Sequence, residues 1–234
     1  MKRLIGAMAA LAGVFAIAGS ANAVTTSLMV KDDSHNIFGK VIITTSPGHM
    51  TVKLTDLLDV SANNWSDGSA IGGVYIGLLG PLPSSVHLDS ASGGLIKFTS
   101  KTTFVHDTTD SIDHWGAGAS GDDIFLETAG PYAQGGQPND LITYNASSYS
   151  VNSSVLQHNP YIQGAGTFDL SFPGFEGTPN VNAGDVWIEF GTTGTNFYMA
   201  CPEPTTWAMF ILGFGMLGAM MRRRARAATA AAAA

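Results

Sequence analysis

Cysteine is nearly absent: Cys201 is the single one in 234 residues. One thiol makes no internal disulfide, and it excludes zinc sites of the finger or ribbon type, which need clustered cysteines. Charge is sparse as well, at 12% of residues against 45% apolar. That balance argues against a disordered acidic chain, because enough apolar surface exists to bury a core. Of the 11 basic residues only Lys31, Lys40, Lys53, Lys97 and Lys101 lie between Val24 and Ala200, whereas all 18 acids except Glu203 lie there. A body this acidic offers no basic footprint for nucleic acid. Helical periodicity is also missing, since no window of about ten residues in that stretch keeps an apolar period of 3.6. Glycine, by contrast, is abundant at 28 residues.

The two ends carry the clearest signals. Lys2 and Arg3 precede an apolar run from Leu4 to Ala18, followed by Gly19-Ser20-Ala21-Asn22-Ala23. A basic n-region, an apolar h-region and an A-x-A site formed by Ala21 and Ala23 make a signal peptide. The run is short for a membrane span of ~20 residues, which favours cleavage over a retained anchor. Signal peptidase and the secretion machinery are therefore expected partners, and cleavage after Ala23 leaves Val24 as the new N-terminus. At the other end Trp207–Met221 forms a second apolar run. It is short for a bilayer core of ~30 Å, but Trp207 can sit in one interface while Arg222, Arg223, Arg224 and Arg226 snorkel into the other and mark the cytoplasmic side. A single transmembrane helix is expected, with Gly215 and Ala219 as a small-xxx-small pair on it. Just before it, Cys201-Pro202-Glu203-Pro204 cannot be helical and favours an extended, exposed peptide.

Pro202-Glu203-Pro204, Trp207-Ala208, Gly213-Phe214-Gly215, Leu217-Gly218 and Arg222-Arg223-Arg224 occur in this order. Together they resemble a PEP-CTERM protein-sorting signal of the Trp-Ala variant, over about 25 residues. The resemblance implies recognition of Pro202, Glu203, Pro204 and Trp207 by an exosortase, an integral-membrane transpeptidase-like enzyme of Gram-negative bacteria. It implies a protein that is exported, transiently membrane-anchored, cut near the triplet and delivered to the cell surface or an exopolysaccharide matrix such as a biofilm. The Ala-rich tail after the arginines departs from the family's usual ending.

The middle of the chain reads as short alternating runs separated by Gly, Asn, Asp, Ser and Pro clusters. Strands are expected over Met50–Thr55, Gly94–Phe98, Asp123–Glu127, Gly166–Phe172 and Asp185–Phe190, with further ones over Val41–Thr45, Leu141–Tyr144 and Val151–Gln157. This pattern predicts an all-β fold, an antiparallel β-sandwich or alternatively a closed β-barrel. The expected organisation is a signal peptide at 1–23, an exported β-domain at 24–200, the sorting signal with its helix and arginines at 201–226, and an Ala-rich tail at 227–234.

Chemistry-bearing motifs in the middle are weak. Gly116-Ala-Gly-Ala-Ser-Gly121 matches G-x-G-x-x-G, but Asp122 and Asp123 follow it and would repel a phosphate. The same acids suggest an isolated calcium site at Asp122 and Asp123, near Asp107, Asp110 and Asp113, against the alternative of a solvated acidic loop. His106 and His114 flank that aspartate cluster without the spacing of a zinc protease. Trp65, Trp115 and Trp187 are candidates for a sugar-binding face, with packing in the core as the competing role; Trp187 lies on the strand face opposite Val186, Ile188 and Phe190. No nucleophile elbow or P-loop occurs. The expectation is a non-enzymatic, structural, adhesive or glycan-binding domain with no catalytic residues and with exopolysaccharide as its partner. A secreted hydrolase of matrix polysaccharide, with a dispersed site, is the alternative.

Overall fold

The computed structural model describes residues 23–31, 37–58, 66–81, 83–135, 137–193 and 197–202, together with Phe214, Met216, Met221 and Arg222. Twelve strands follow one another: β1 (Val24–Lys31), β2 (Ile37–Ser46), β3 (His49–Asp56), β4 (Ile71–Leu78), β5 (His87–Phe98), β6 (Phe104–Asp107), β7 (Gly116–Ser120), β8 (Asp123–Glu127), β9 (Ile142–Thr143), β10 (Tyr161–Ser171), β11 (Val181–Phe190) and β12 (Phe197–Pro202). The all-β class expected from the alternating runs is the class observed. Ala23 is exposed and directly precedes β1, so the expected cleavage leaves a chain that begins in its first strand.

The strands make one sheet in the order β6-β5-β10-β3-β2-β1-β12-β11-β4-β8-β7. The short strand β9 decides the architecture. Ile142 and Thr143 pair in parallel with Ile162 and Gln163 of β10, and Ile142 also pairs with Ile71 of β4. The ring β10-β3-β2-β1-β12-β11-β4-β9 thereby closes into an eight-stranded barrel. Of the two arrangements expected, the barrel is the one adopted and the two separate sheets of a sandwich are not. The physical device is a bulge in β10. Its register with β5 shifts between Gln163 and Thr167, where Gly164 takes φ +78°, a conformation that favours glycine. On one side of the bulge β10 pairs with β9, and on the other it pairs with β3 from Ala165 to Ser171.

An eight-stranded barrel has an interior that side chains fill. Leu28, Val41, Ile43, Val52, Leu54, Val74, Ile76, Ile124, Leu126, Phe168, Val186 and Ile188 are almost fully buried in one cluster drawn from all sides of the ring. Each such aliphatic or aromatic side chain contributes ~1.5–3 kcal/mol by its burial. The alternation in β3 and in Asp185–Phe190 is that of strands with one face in this core. A second cluster holds Phe98, Leu141, Tyr149, Val151, Val155 and Tyr161 beneath the segment that leads into β10. Val151–Gln157, expected as a strand, is instead a single bridge followed by a 3₁₀ turn at Val155–Gln157. Asn152 Oδ1 accepts the N–H of Ser154 at 3.0 Å and diverts the backbone from a ladder. No helix among the described residues is long and apolar enough to cross a membrane. The expected span over Trp207–Met221 falls mostly outside those residues; Phe214, Met216 and Met221 within it are helical and exposed.

Candidate functional site

The barrel's outer face over β12, β11, β4, β8 and β7 carries an unusual row of side chains. Register places Met199, Trp187, Tyr75, Phe125 and Gly118 side by side across the five strands. The ring of Tyr75 lies 4.5 Å from that of Phe125 and 4.6 Å from that of Phe197. The Phe125 ring is 5.4 Å from that of Tyr132, tilted by 35°. Tyr75, Phe125, Tyr132, Trp187 and Phe197 are all half-buried, and Met199 is exposed. The result is a continuous aromatic strip that presents ring surface to solvent.

Glycine positions make the strip possible. The Tyr132 ring lies over Gly118, where a Cβ would come within 2.1 Å of the ring. Beside the strip, Glu189, Gly73 and Glu127 share the next row. A Cβ on Gly73 would meet Glu189 Oε2 at 2.9 Å and Glu127 Cβ at 3.2 Å, so both glutamates lie down over bare backbone. Each is fully buried. Glu127 Oε1 accepts the Tyr132 N–H at 2.8 Å, and Oε2 accepts the Tyr75 hydroxyl at 3.4 Å. Burial pushes the Glu127 carboxyl above its ordinary range, and burial followed by the neighbouring glutamates pushes the Tyr75 hydroxyl up. Glu127 thus ties Tyr75 to the loop that carries Tyr132, and both glutamates are closed off from solvent. On the strip's other flank Asp185 Oδ1 accepts the Trp187 indole N–H at 2.9 Å and fixes that ring. A pocket of about 220 Å³ shares Gly130 and Ala133 with the loop that carries Tyr132; Thr128, Gln137 and Thr192 supply polar atoms to its wall.

The expected site residues distribute as follows. Trp187 is on the outer face, as the alternation indicated. Trp115 is not part of a sugar face: it is buried, packs on Phe168 at 4.4 Å and donates its indole N–H to Asp140 O. Trp65 lies outside the described residues. Gly116–Ser120 is strand β7 rather than a phosphate loop. Asp122 and Asp123 sit where β7 turns into β8, with Ser120 paired to Asp123. Burial, then Asp185 and Asp122, raises the Asp123 carboxyl. Asp107 and Asp110 are not with them in purpose, since both are held by Lys97 at 3.2 and 2.9 Å. Asp107 also accepts two bonds from Thr109 and one from Asp110, which hold its carboxyl well below the usual range. His106 meets the Phe104 ring edge-on, whereas His114 turns to Asp140. Tyr75, Phe125, Tyr132 and Phe197 were not singled out by sequence reasoning, although the alternation of Asp123–Glu127 already put Phe125 opposite Ile124 and Leu126.

The C-terminal strand joins this face to the expected sorting signal. Phe197 and Met199 of the strip belong to β12, which ends at Pro202, the first residue of the Pro-Glu-Pro triplet. Met29, Leu28 and Val30 of β1 pair with Cys201, Pro202 and Ala200. Glu203, Pro204, Trp207, Arg223, Arg224 and Arg226 lie outside the described residues, as does Ala21; Arg222 is helical and exposed. No curated protein and no solved structure matches the chain. Residues 200–224, starting inside β12, match the family model of the PEP-CTERM protein-sorting motif, and the chain therefore carries that sorting signal.

Proposed function

We propose that the barrel is a carbohydrate-binding domain that holds an exported protein to a neutral extracellular polysaccharide. The sorting motif supports export and makes exosortase the processing partner, and the Trp207-Ala208 pair supports the Trp-Ala variant of the signal. The carrying observation for the binding activity is the strip of Trp187, Tyr75, Phe125 and Tyr132 on the sheet's outer face. Aromatic ring faces stack on the C–H faces of sugar rings, and flanking carboxylates accept hydroxyl donors. Asp122, Asp123 and Asp185 line the same flank, and their charge repels uronate or sulfated chains, so a neutral or amino-sugar polymer fits. Glu127 and Glu189, which flank Gly73 on this face, are both fully buried, which favours binding over hydrolysis.

The test is tryptophan fluorescence titration of the protein with neutral and acidic polysaccharides. Neutral chains should change the Trp187 emission, and Trp187→Ala should weaken binding about tenfold, or ~1.4 kcal/mol, with unchanged melting temperature. Equal binding of both polymer classes, or wild-type affinity in Trp187→Ala, would sink the proposal.

A further inference from the structure

Asp140 is an acid held tightly by its surroundings. It is fully buried and has φ +59°. Its Oδ2 accepts three donors: the N–H groups of Asp113 and His114, both at 3.1 Å, and His114 Nδ1 at 2.9 Å. His114 Nδ1 is also 2.9 Å from Asp113 Oδ1. One ligand atom from each of Asp113, His114 and Asp140 lies within 4.8 Å of the others, the only such metal-capable group among the described residues.

Two atoms around this cluster have no hydrogen-bond partner although they are buried: Asp140 Oδ1 and Asn139 Oδ1. An orphaned buried acceptor costs ~1–3 kcal/mol, so Asp140 Oδ1, in a fully buried carboxylate, calls for a cause. The Asn139 amide faces the far side of the same imidazole, with Nδ2 3.3 Å from His114 Nε2. The oxygen and nitrogen of an amide are assigned from the bonds they make. Turning the amide over lets Asn139 Oδ1 accept a hydrogen bond from Nε2–H and moves Nδ2 to the other side. That tautomer leaves the Nδ1 lone pair facing the two carboxylates. A cation between them would then take Nδ1, Asp113 Oδ1 and Asp140 Oδ2, and binding the carboxylate through both oxygens would also give Asp140 Oδ1 a partner.

We propose that Asp113, His114 and Asp140 bind a divalent first-row transition-metal ion such as zinc or manganese. Imidazole nitrogen with two carboxylates suits these ions, whereas calcium and magnesium take oxygen alone. The two carboxylates with a neutral imidazole match a double positive charge. Asn139 is the outer partner that a metal-bound histidine needs on its second nitrogen. The exposed Asp113 side chain leaves one side of the site open to water ligands. A proton is the rival occupant. An imidazolium would bond to both carboxylates but leaves Asp140 Oδ1 without a partner. Asp140 lies two residues before Ile142, the residue that closes the barrel, so the ion ties the Asp113–Trp115 segment to the closing strand. In a chain with one cysteine it is a staple of the kind other exported domains build from disulfides.

The full chain, purified in detergent and stripped with chelator, is titrated with ZnCl₂ and MnCl₂ by calorimetry and by thermal melting, with CaCl₂ as control. One zinc or manganese ion should bind per chain and raise the melting temperature, with no rise from calcium. Asp113→Asn alters a side chain that is 66% exposed, so its metal-free melting temperature should equal that of the wild type while its zinc affinity falls roughly tenfold or more. His114→Gln should lose affinity in the same way. The cobalt-loaded wild type should show visible d–d absorption that Asp113→Asn lacks. Absence of stoichiometric binding, equal binding by both variants, or a His114 ring protonated on both nitrogens in the presence of zinc would overturn the proposal.

Discussion

Pro202, the first residue of the sorting triplet, lies directly opposite Leu28 in the antiparallel pairing of β12 with β1. The sorting signal therefore begins inside the barrel wall. β12 also pairs with β11 through Phe197, Tyr198 and Met199, so its removal opens two strand edges and uncovers Leu28 and Val30, which are buried. A chain truncated after Pro202 should melt cooperatively and stay β-rich by circular dichroism. One truncated before Phe197 should lose a large part of the ~5–15 kcal/mol that stabilises a domain and be cut rapidly by protease. An exosortase cut that preserves the barrel accordingly falls after Pro202, which intact-mass analysis of the processed protein would read directly. A processed barrel ending before Phe197 would contradict this.

Asp56 supplies a pH dependence. It is buried at the end of β3, where Oδ1 accepts the Leu58 N–H at 2.9 Å while Oδ2 has no partner. Burial, only partly offset by backbone bonds from Leu58 and Tyr144, holds its carboxyl well above the ordinary value. A folded pKa above the unfolded one means the native state binds the proton more tightly. Its contribution to stability is complete below the unfolded carboxylate pKa and is lost as pH rises through the folded value. Asp56→Asn mimics the protonated form and keeps the Oδ1 acceptor. It should stabilise the barrel at neutral pH by on the order of 1 kcal/mol, with the gain vanishing near pH 3–4. Thermal melts across that range check it, and a constant difference at every pH would refute the assignment.

What the sequence disclosed followed the visibility of alternation. Met50–Thr55 alternates apolar with polar residues and Asp123–Glu127 is a short apolar run bounded by acids, and both are strands with one face in the core. β4 was invisible because Gly72, Gly73 and Gly77 interrupt the pattern, and those glycines exist to let Glu189 and other side chains lie across the sheet. β7 reads as a glycine loop for the same reason: Tyr132 occupies the space its side chains would fill. Barrel closure depends on β9, which lies inside the strand expected over Leu141–Tyr144, but its parallel pairing with β10 and the bulge at Gly164 leave no periodic trace. Asp140 was equally hidden. It is 26 residues from His114 and meets it only because the segment before β9 folds against the one before β7.

Gly118→Ala tests whether the aromatic strip depends on these clearings. The new Cβ would meet the Tyr132 ring at 2.1 Å, so the ring and its loop must lift, which costs ~1–3 kcal/mol as overpacking does. Tyr132 would then leave Phe125, and the hydroxyl bond from Tyr132 to Ala119 O would break. The variant should fold, melt at a lower temperature and bind polysaccharide about as weakly as Tyr132→Ala at equal temperature margin. Unchanged melting would show that the loop does not rest on β7 in solution.

The sorting signal permits the sharpest separation of roles. The triplet Pro202-Glu203-Pro204 is polar and helix-breaking, whereas Trp207–Met221 and the arginines are expected to hold the chain in the membrane. Replacing the three triplet residues with alanine should therefore remove recognition and leave retention intact. The barrel survives the change, because proline at the end of a strand donates no backbone N–H and an alanine there keeps the pairing with Leu28. The protein should accumulate uncleaved in the inner membrane with its barrel in the periplasm. Replacing Arg222, Arg223, Arg224 and Arg226 should instead weaken retention and orientation, since those charges are expected to hold the span at the cytoplasmic face. An internal epitope tag in the exposed Ser100–Thr102 turn, read by fractionation and blot mass, distinguishes the two outcomes. A triple-alanine variant that still reaches the surface with its tail removed would show that the triplet is not what exosortase reads, and that another protease releases the barrel.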